Sequence, residues 1–170
     1  MTTFIALLRA INVGGTGKLP MAELAALCTG LGLENVRTYI QSGNVVFESG
    51  RSEEALQSAL ARALAAKMGR DVDLALRSAA EMRAVLKGNP FPDAPGAKVG
   101  VAFGMAAIPE QAVRGLVIPG REEVRVGKRD IYIHFPDGVG RSKLKLPAAL
   151  GPLTVRNINT VTKLVAMSGA

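Results

Sequence analysis

The chain has no tryptophan, one cysteine and one histidine, and only 4% of its 170 residues are aromatic. With so few rings, its core has to be built from Leu, Val, Ile and Ala. A lone Cys28 excludes an internal disulfide and a cysteine-based metal site. No metal-ligand spacing occurs elsewhere, and the carboxylates are scattered, with no pair placed for acid–base work. No apolar run approaches the ~20 residues that span a bilayer. The apolar stretch Phe4–Leu8 is too short and wrongly flanked for a secretory leader. Together these absences point to a cytoplasmic protein with no membrane partner.

What is present is 48% hydrophobic and 21% charged residues, the balance of a globular protein rather than a disordered one. The length allows one ordinary domain or two small ones. The net charge is +7, from 21 basic and 14 acidic side chains, and it is unevenly spread. Residues 1–88 hold ten basic and eight acidic side chains, residues 89–170 eleven and six. From Gly138 onward Arg141, Lys143, Lys145, Arg156 and Lys163 stand without a single acid. A field of that sign draws phosphates, acidic metabolites or nucleic acid, although a basic balance also serves solubility.

The periodicity predicts a strand in "TFIALLRA", then a helix in "PMAELAALCTGLG" with Met21, Leu24, Leu27, Cys28 and Leu31 at helical spacing. "VRTYIQ" and "VVFE" alternate as strands around the turn "SGN". Ser52 caps a helix whose stripe is Leu56, Leu60, Leu64 and Met68, and "VDLALR" is a fourth strand. The order is βαββαβ, the ferredoxin-like pattern. A third helix opens with the capping box Ser78-x-x-Glu81. The proline-rich stretch 89–97 then separates an N-terminal lobe, 1–88, from a C-terminal lobe, 98–170. The second half repeats the plan with strands in "KVGVAF", "EEVRV", "DIYIHF" and "LTV". Helices are expected in "PEQAVRGL" and "SKLKLPAAL", and after a cap at Asn157 or Asn159. The expected fold is α+β: two ferredoxin-like lobes with antiparallel sheets, packed as one compact unit.

In a sheet ordered 4-1-3-2, the end of strand one and the hairpin between strands two and three share an edge. That edge gathers Arg9, Asn12, Gly14, Gly15 and Lys18 with Gln41, Ser42, Gly43 and Asn44, a set of donors containing no carboxylate. The stretch "NVGGTGKLP" is not a Walker loop, because Asn12 replaces the first glycine and Leu19 the hydroxyl residue. Backbone N–H groups near a helix start, beside Lys18, can still hold an anion. Arg141 and Lys143 form either an anion-facing pair or a solvated helix start. Arg156, Asn157, Asn159, Thr160 and Lys163 surround the start of the last helix, where orphan N–H groups favour an anion. His134 shares a sheet face with Tyr132 and Arg125, which reads as packing against the other lobe, and Cys28 reads as a small buried hydrophobe.

"FIALLRAINVGG", "LPMAEL", "NVRTYIQSGNVVF", "GRSKL" and "RNINTVTKL" resemble the bacterial family known as domain of unknown function 1697, from Phe4 to Leu164. The resemblance implies two ferredoxin-like lobes and a cytosolic protein, and it implies no activity. The family typically has Gly where Ala10 stands and an aromatic residue where Ile158 stands. The polar segments singled out above, with Gly140 and Ser142, are its signature segments. The resulting expectation is a binding module for an anionic small molecule or nucleic acid. An enzyme of phosphoryl- or acyl-transfer type, with a cleft between the lobes, is the alternative. A third reading is a structural or interaction protein whose polar motifs pin only turns and the lobe interface. The sequence names no cofactor, catalytic base or oligomeric state.

Overall fold

The computed structural model describes residues 1–13 and 18–169. The chain divides into two units, Met1–Arg83 with Leu164–Ala170, and Ala84–Lys163.

The first unit holds β1 (Thr2–Leu8), α1 (Met21–Gly30), β2 (Glu34–Tyr39), β3 (Asn44–Ser49), α2 (Glu53–Met68) and β4 (Leu74–Ser78). Its sheet runs β2-β3-β1-β4 with antiparallel neighbours throughout, the ferredoxin-like order. β1 lies inside the sheet and is buried on both faces, which is why it reads as a continuous apolar run rather than an alternating one. β2 lies at an edge and has no buried residue. On one face Phe4, Ala6, Leu8, Val45, Phe47, Leu74 and Leu76 meet Leu24 and Cys28 of α1 and Leu56, Leu60 and Leu64 of α2. The register pair Phe4 and Phe47 stacks at 5.9 Å between ring centroids. The opposite face, with Ile5, Leu7, Val46 and Ala75, is buried as well.

Local chemistry sets the helix ends. The Ala55 N–H donates to Ser52 Oγ at 3.2 Å, with Glu53 and Glu54 in the first turn of α2. Gly69 closes that helix in the left-handed region. The next helix, α3 (Ala79–Lys87), opens on the full capping box. The Glu81 N–H donates to Ser78 Oγ at 3.1 Å, and the Ser78 N–H to Glu81 Oε1 at 3.1 Å.

The second unit holds β5 (Val99–Gly104), β6 (Glu123–Val126), β7 (Asp130–His134) and β8 (Leu153–Asn157) in the order β6-β7-β5-β8, again antiparallel. Two expected helices are corrected here. "PEQAVRGL" makes only a 3-10 turn, Glu110–Val113, because Arg114 is extended and Gly115 has φ +76°. "SKLKLPAAL" makes no α-helix. Short 3-10 turns at Val139–Arg141 and Ala148–Leu150 flank an irregular stretch, since Pro147 lacks an N–H and pushes Leu146 away from helical angles. Ala102, Ile108, Ile131, Ile133 and Phe135 form this unit's core on that face, covered by Leu144, Leu146 and Leu150. After β8 comes α4 (Ile158–Met167).

Candidate functional site

The sheet order brings three connections of the first unit to one edge. The Leu8 N–H donates to the Gly43 carbonyl at 2.8 Å, tying the end of β1 to the β2–β3 turn. The Arg9 N–H donates to the Asp73 carbonyl at 2.9 Å, tying it to the approach to β4. Asn12 locks the third: its Oδ1 accepts from the Leu19 N–H at 2.7 Å. Its Nδ2 donates to the Leu19 carbonyl at 2.9 Å and the Gln41 carbonyl at 2.7 Å. The β1–α1 loop and the hairpin turn are therefore neighbours, as the topology predicts. Gly43 sits where they meet, at φ +90°, and a Cβ there would lie 2.5 Å from Ile11 Cδ1.

Between these segments lies a cavity of about 230 Å³ lined by Asn12, Lys18, Leu19, Pro20 and Gln41. Lys18 and Gln41 are exposed at its rim, and Leu19 is buried beneath it. Three non-glycine residues around it hold left-handed backbone: Ala10 and Asn12 at φ +55°, and Ile40 at φ +50°. A β-branched residue in that region is an outlier, and such strain gathers at functional sites.

The expectation of a carboxylate-free edge is corrected by the β1–β4 register. Asp73 stands 3.9 Å from the Arg9 guanidinium, both about half exposed. One cation escaped sequence reasoning altogether: Arg70, just past α2, donates to the Ala10 carbonyl at 2.9 Å. Nothing in its sequence neighbourhood marks it. Gly14 and Gly15 lie outside the described residues. Asn44 is fully buried, and its Nδ2 donates to the Tyr39 carbonyl and to Ser42 Oγ, closing the hairpin.

In the second unit Arg141 and Lys143 are exposed, and Ser142 points between them to donate to Glu122 Oε1 at 2.9 Å. The Glu122 carboxyl is held below its usual range, first by its own backbone N–H and then by Ser142. Asp137 is lowered by its hydrogen bond to Arg121. Arg156 is buried, donating to Thr154 Oγ1 and the Val155 carbonyl, both at 3.1 Å. Burial pushes its guanidinium down to about 10, still charged at neutral pH. Asn157, not Asn159, is the helix cap, its Oδ1 accepting from the Thr160 N–H at 2.9 Å. Asn159 is exposed and lies so close to Gly96 that a Cβ there would collide with it, and Lys163 is exposed.

His134 packs against Phe91 at 5.4 Å, and Arg125 lies over the Phe91 ring at 5.8 Å. The Tyr132 hydroxyl donates to the Val85 carbonyl at 2.7 Å. This face is packed by Val85 and Phe91, residues of the same unit. Cys28 is fully buried, and burial pushes its thiol up to about 11, which suits a hydrophobe and not a nucleophile. Among the described residues no three His, Cys, Asp or Glu side chains gather as metal ligands would. No described helix is long and apolar enough to cross a membrane.

A family model described as protein of unknown function (DUF1697) matches residues 1–132, more than three quarters of the chain. The chain belongs to the DUF1697 family. The matched residues include the whole loop edge, and the motifs around Arg141 and Arg156 follow it. The fold is similar to the solved structure of the conserved bacterial protein SP0830 from Streptococcus pneumoniae. That protein is 30% identical, with a TM-score of 0.82 over 98% of each chain. No curated protein matches. Ala10 takes φ +55°, a conformation glycine adopts without cost. Ile158 is buried at the first turn of α4.

Proposed function

We propose that this protein binds a small phosphate-bearing anion at the loop edge of its first unit. The observation that carries the reading is the cavity between the β1–α1 loop and the β2–β3 turn, rimmed by Lys18 and, among the described residues, lined by no carboxylate. It opens beside Pro20, the residue preceding α1, where the first N–H groups of the helix have no partner within it and the helix dipole is positive. Arg9 and Arg70 add positive charge on the same edge, and Asp73 offsets part of Arg9. The left-handed backbone at Ala10, Asn12 and Ile40 supports the same assignment. A volume of about 230 Å³ is below the ~300–1,000 Å³ of sites that enclose a whole drug-sized ligand. The site therefore suits the anionic end of a metabolite, with the remainder outside.

A second reading is favoured for four of the signature residues. Asn12, Asn44, Arg156 and Asn157 spend their side chains on backbone or neighbouring groups of the fold. We assign these to bracing and Lys18 and Gln41 to the ligand. Among the described residues lining the cavity none is a general base, and binding is favoured over catalysis. We assign the protein to the cytosol, on its single buried thiol.

The test is thermal stabilisation by inorganic phosphate, pyrophosphate, sugar phosphates and nucleotides, for the natural chain and for Lys18→Ala. A true ligand at a hundred times its Kd stabilises by about 2.7 kcal/mol. That gain should be lost in the variant. Absence of stabilisation by every member of the panel would sink the proposal.

A further inference from the structure

The stretch 139–150 in the second unit stands between β7 and β8, where α2 stands between β3 and β4 in the first. α2 covers its sheet with the helical stripe Leu56, Leu60 and Leu64. The stretch 139–150 covers its own sheet differently. Ser142, Leu144 and Leu146 are turned inward, while Arg141, Lys143 and Lys145 between them are exposed. That is a period of two, the signature of extended chain. At a rise of about 3.3 Å per residue, three cations stand at intervals of about 7 Å along about 13 Å of one face.

Charge around the row is one-sided. No acid occurs from Gly138 to Pro152. The nearest carboxylates are engaged: Asp137 pairs with Arg121 and also feels Arg141, and Glu122 accepts from Ser142 and from the Gly120 N–H. Among the described residues no ion pair holds Lys143 or Lys145.

A compact anion is met by converging donors, as at the first unit's cavity. A straight row of evenly spaced cations instead matches a chain of regularly spaced negative charges. We infer that the strap 139–150 is a track for the phosphate backbone of a single strand of nucleic acid. No aromatic side chain stands in the strap, so the contact is to phosphates and is blind to sequence. The strap is neither a helix nor a two-stranded ribbon that could enter the groove of a duplex. A lipid surface is disfavoured because Leu144 and Leu146 point inward and leave little apolar area to insert.

The experiment is fluorescence anisotropy of a labelled twelve-nucleotide oligo(dT) with the full chain between 50 and 200 mM NaCl. Three phosphate contacts predict a log–log salt slope of about −2, or a loss of affinity of about 20-fold across that range. Arg141→Ala/Lys143→Ala/Lys145→Ala should remove that slope. Lys143→Gln/Lys145→Gln should remove most of it, with melting unchanged because all three positions are exposed. Lys18→Ala should leave the slope intact, which separates this surface from the small-anion cavity. An unaltered slope in the triple variant, no salt-dependent binding of the oligonucleotide, or binding to phosphatidylserine vesicles alone would overturn the inference.

Discussion

Asn12 and Leu19 hold each other by two hydrogen bonds, the Asn12 carboxamide accepting from the Leu19 N–H at 2.7 Å and donating to its carbonyl at 2.9 Å. The side chain thus acts as a second strand of backbone and closes the loop on itself. Asn12→Ala leaves both Leu19 groups and the Gln41 carbonyl without that partner. We expect a loss of about 2–3 kcal/mol in urea unfolding. Unchanged stability would show that the loop is not braced by this amide.

Ala10→Gly should stabilise the protein. A left-handed L-residue costs about 1–2 kcal/mol, and glycine gives back up to about 1 kcal/mol through its freer unfolded chain. The net gain is about 0.5–1 kcal/mol, read as a melting temperature higher by about 1–4 °C. Ile40→Asn, at φ +50° and exposed, should shift in the same direction. A lower melting temperature for Ala10→Gly would refute the strain argument.

Stability should fall in alkali through Cys28. Its folded pKa of about 11 lies above the ordinary 9.0, so between those values the folded state binds more protons than the unfolded one. The thiol's contribution is full below pH 9.0 and is lost as pH rises toward 11. Comparing the natural chain with Cys28→Ala by urea unfolding from pH 8 to 11 isolates it, since Tyr132, raised to about 12, is common to both. A parallel pH profile for the two proteins would contradict the burial of the thiol.

Arg125 protects an open edge. β6 has one neighbour in its sheet, and the Arg125 guanidinium donates to the Val124 carbonyl at 3.0 Å on the same strand. Edge strands invite pairing with other chains unless charge or geometry blocks them. Val117 is 81% exposed nearby, adding apolar surface that a partner could cover. Arg125→Ala should therefore increase concentration-dependent self-association in sedimentation velocity. A variant that stays as disperse as the natural chain would show that the guanidinium guards nothing.

The first unit was legible because its signals are redundant. Leu56, Leu60 and Leu64 repeat at helical spacing, and Ser52, Ser78 and Glu81 mark the helix starts. The second unit was misread where a short polar–apolar alternation, "SKLKL", met an expectation of symmetry. Pro147 and the period of two both argued for extended chain. The loop edge was located correctly because strand order alone places it. The roles of its residues were not legible, since an asparagine that braces a loop and one that meets a ligand are chemically identical. Asp73 was missed because only the β1–β4 register brings it to Arg9. The two units repeat one plan, but no residue-level repeat marks it in the sequence. Arg77 and Arg156 are each the fourth residue of the last strand, each buried, each followed by a helix cap. They lie opposite Ile5 and Val101, but "LALRS" and "LTVRN" share only two residues.

The Arg37 guanidinium donates to the Met167 carbonyl, and Leu164 onward belongs to the first unit. A ribosome makes that segment roughly eighty residues after Arg83, when the whole second unit has already been synthesised. The half of the protein begun first is therefore finished last. Until then, the end of β2 waits for a helix terminus that does not yet exist. A released chain that ends at Lys163 should expose its first unit to proteases faster than the full chain does.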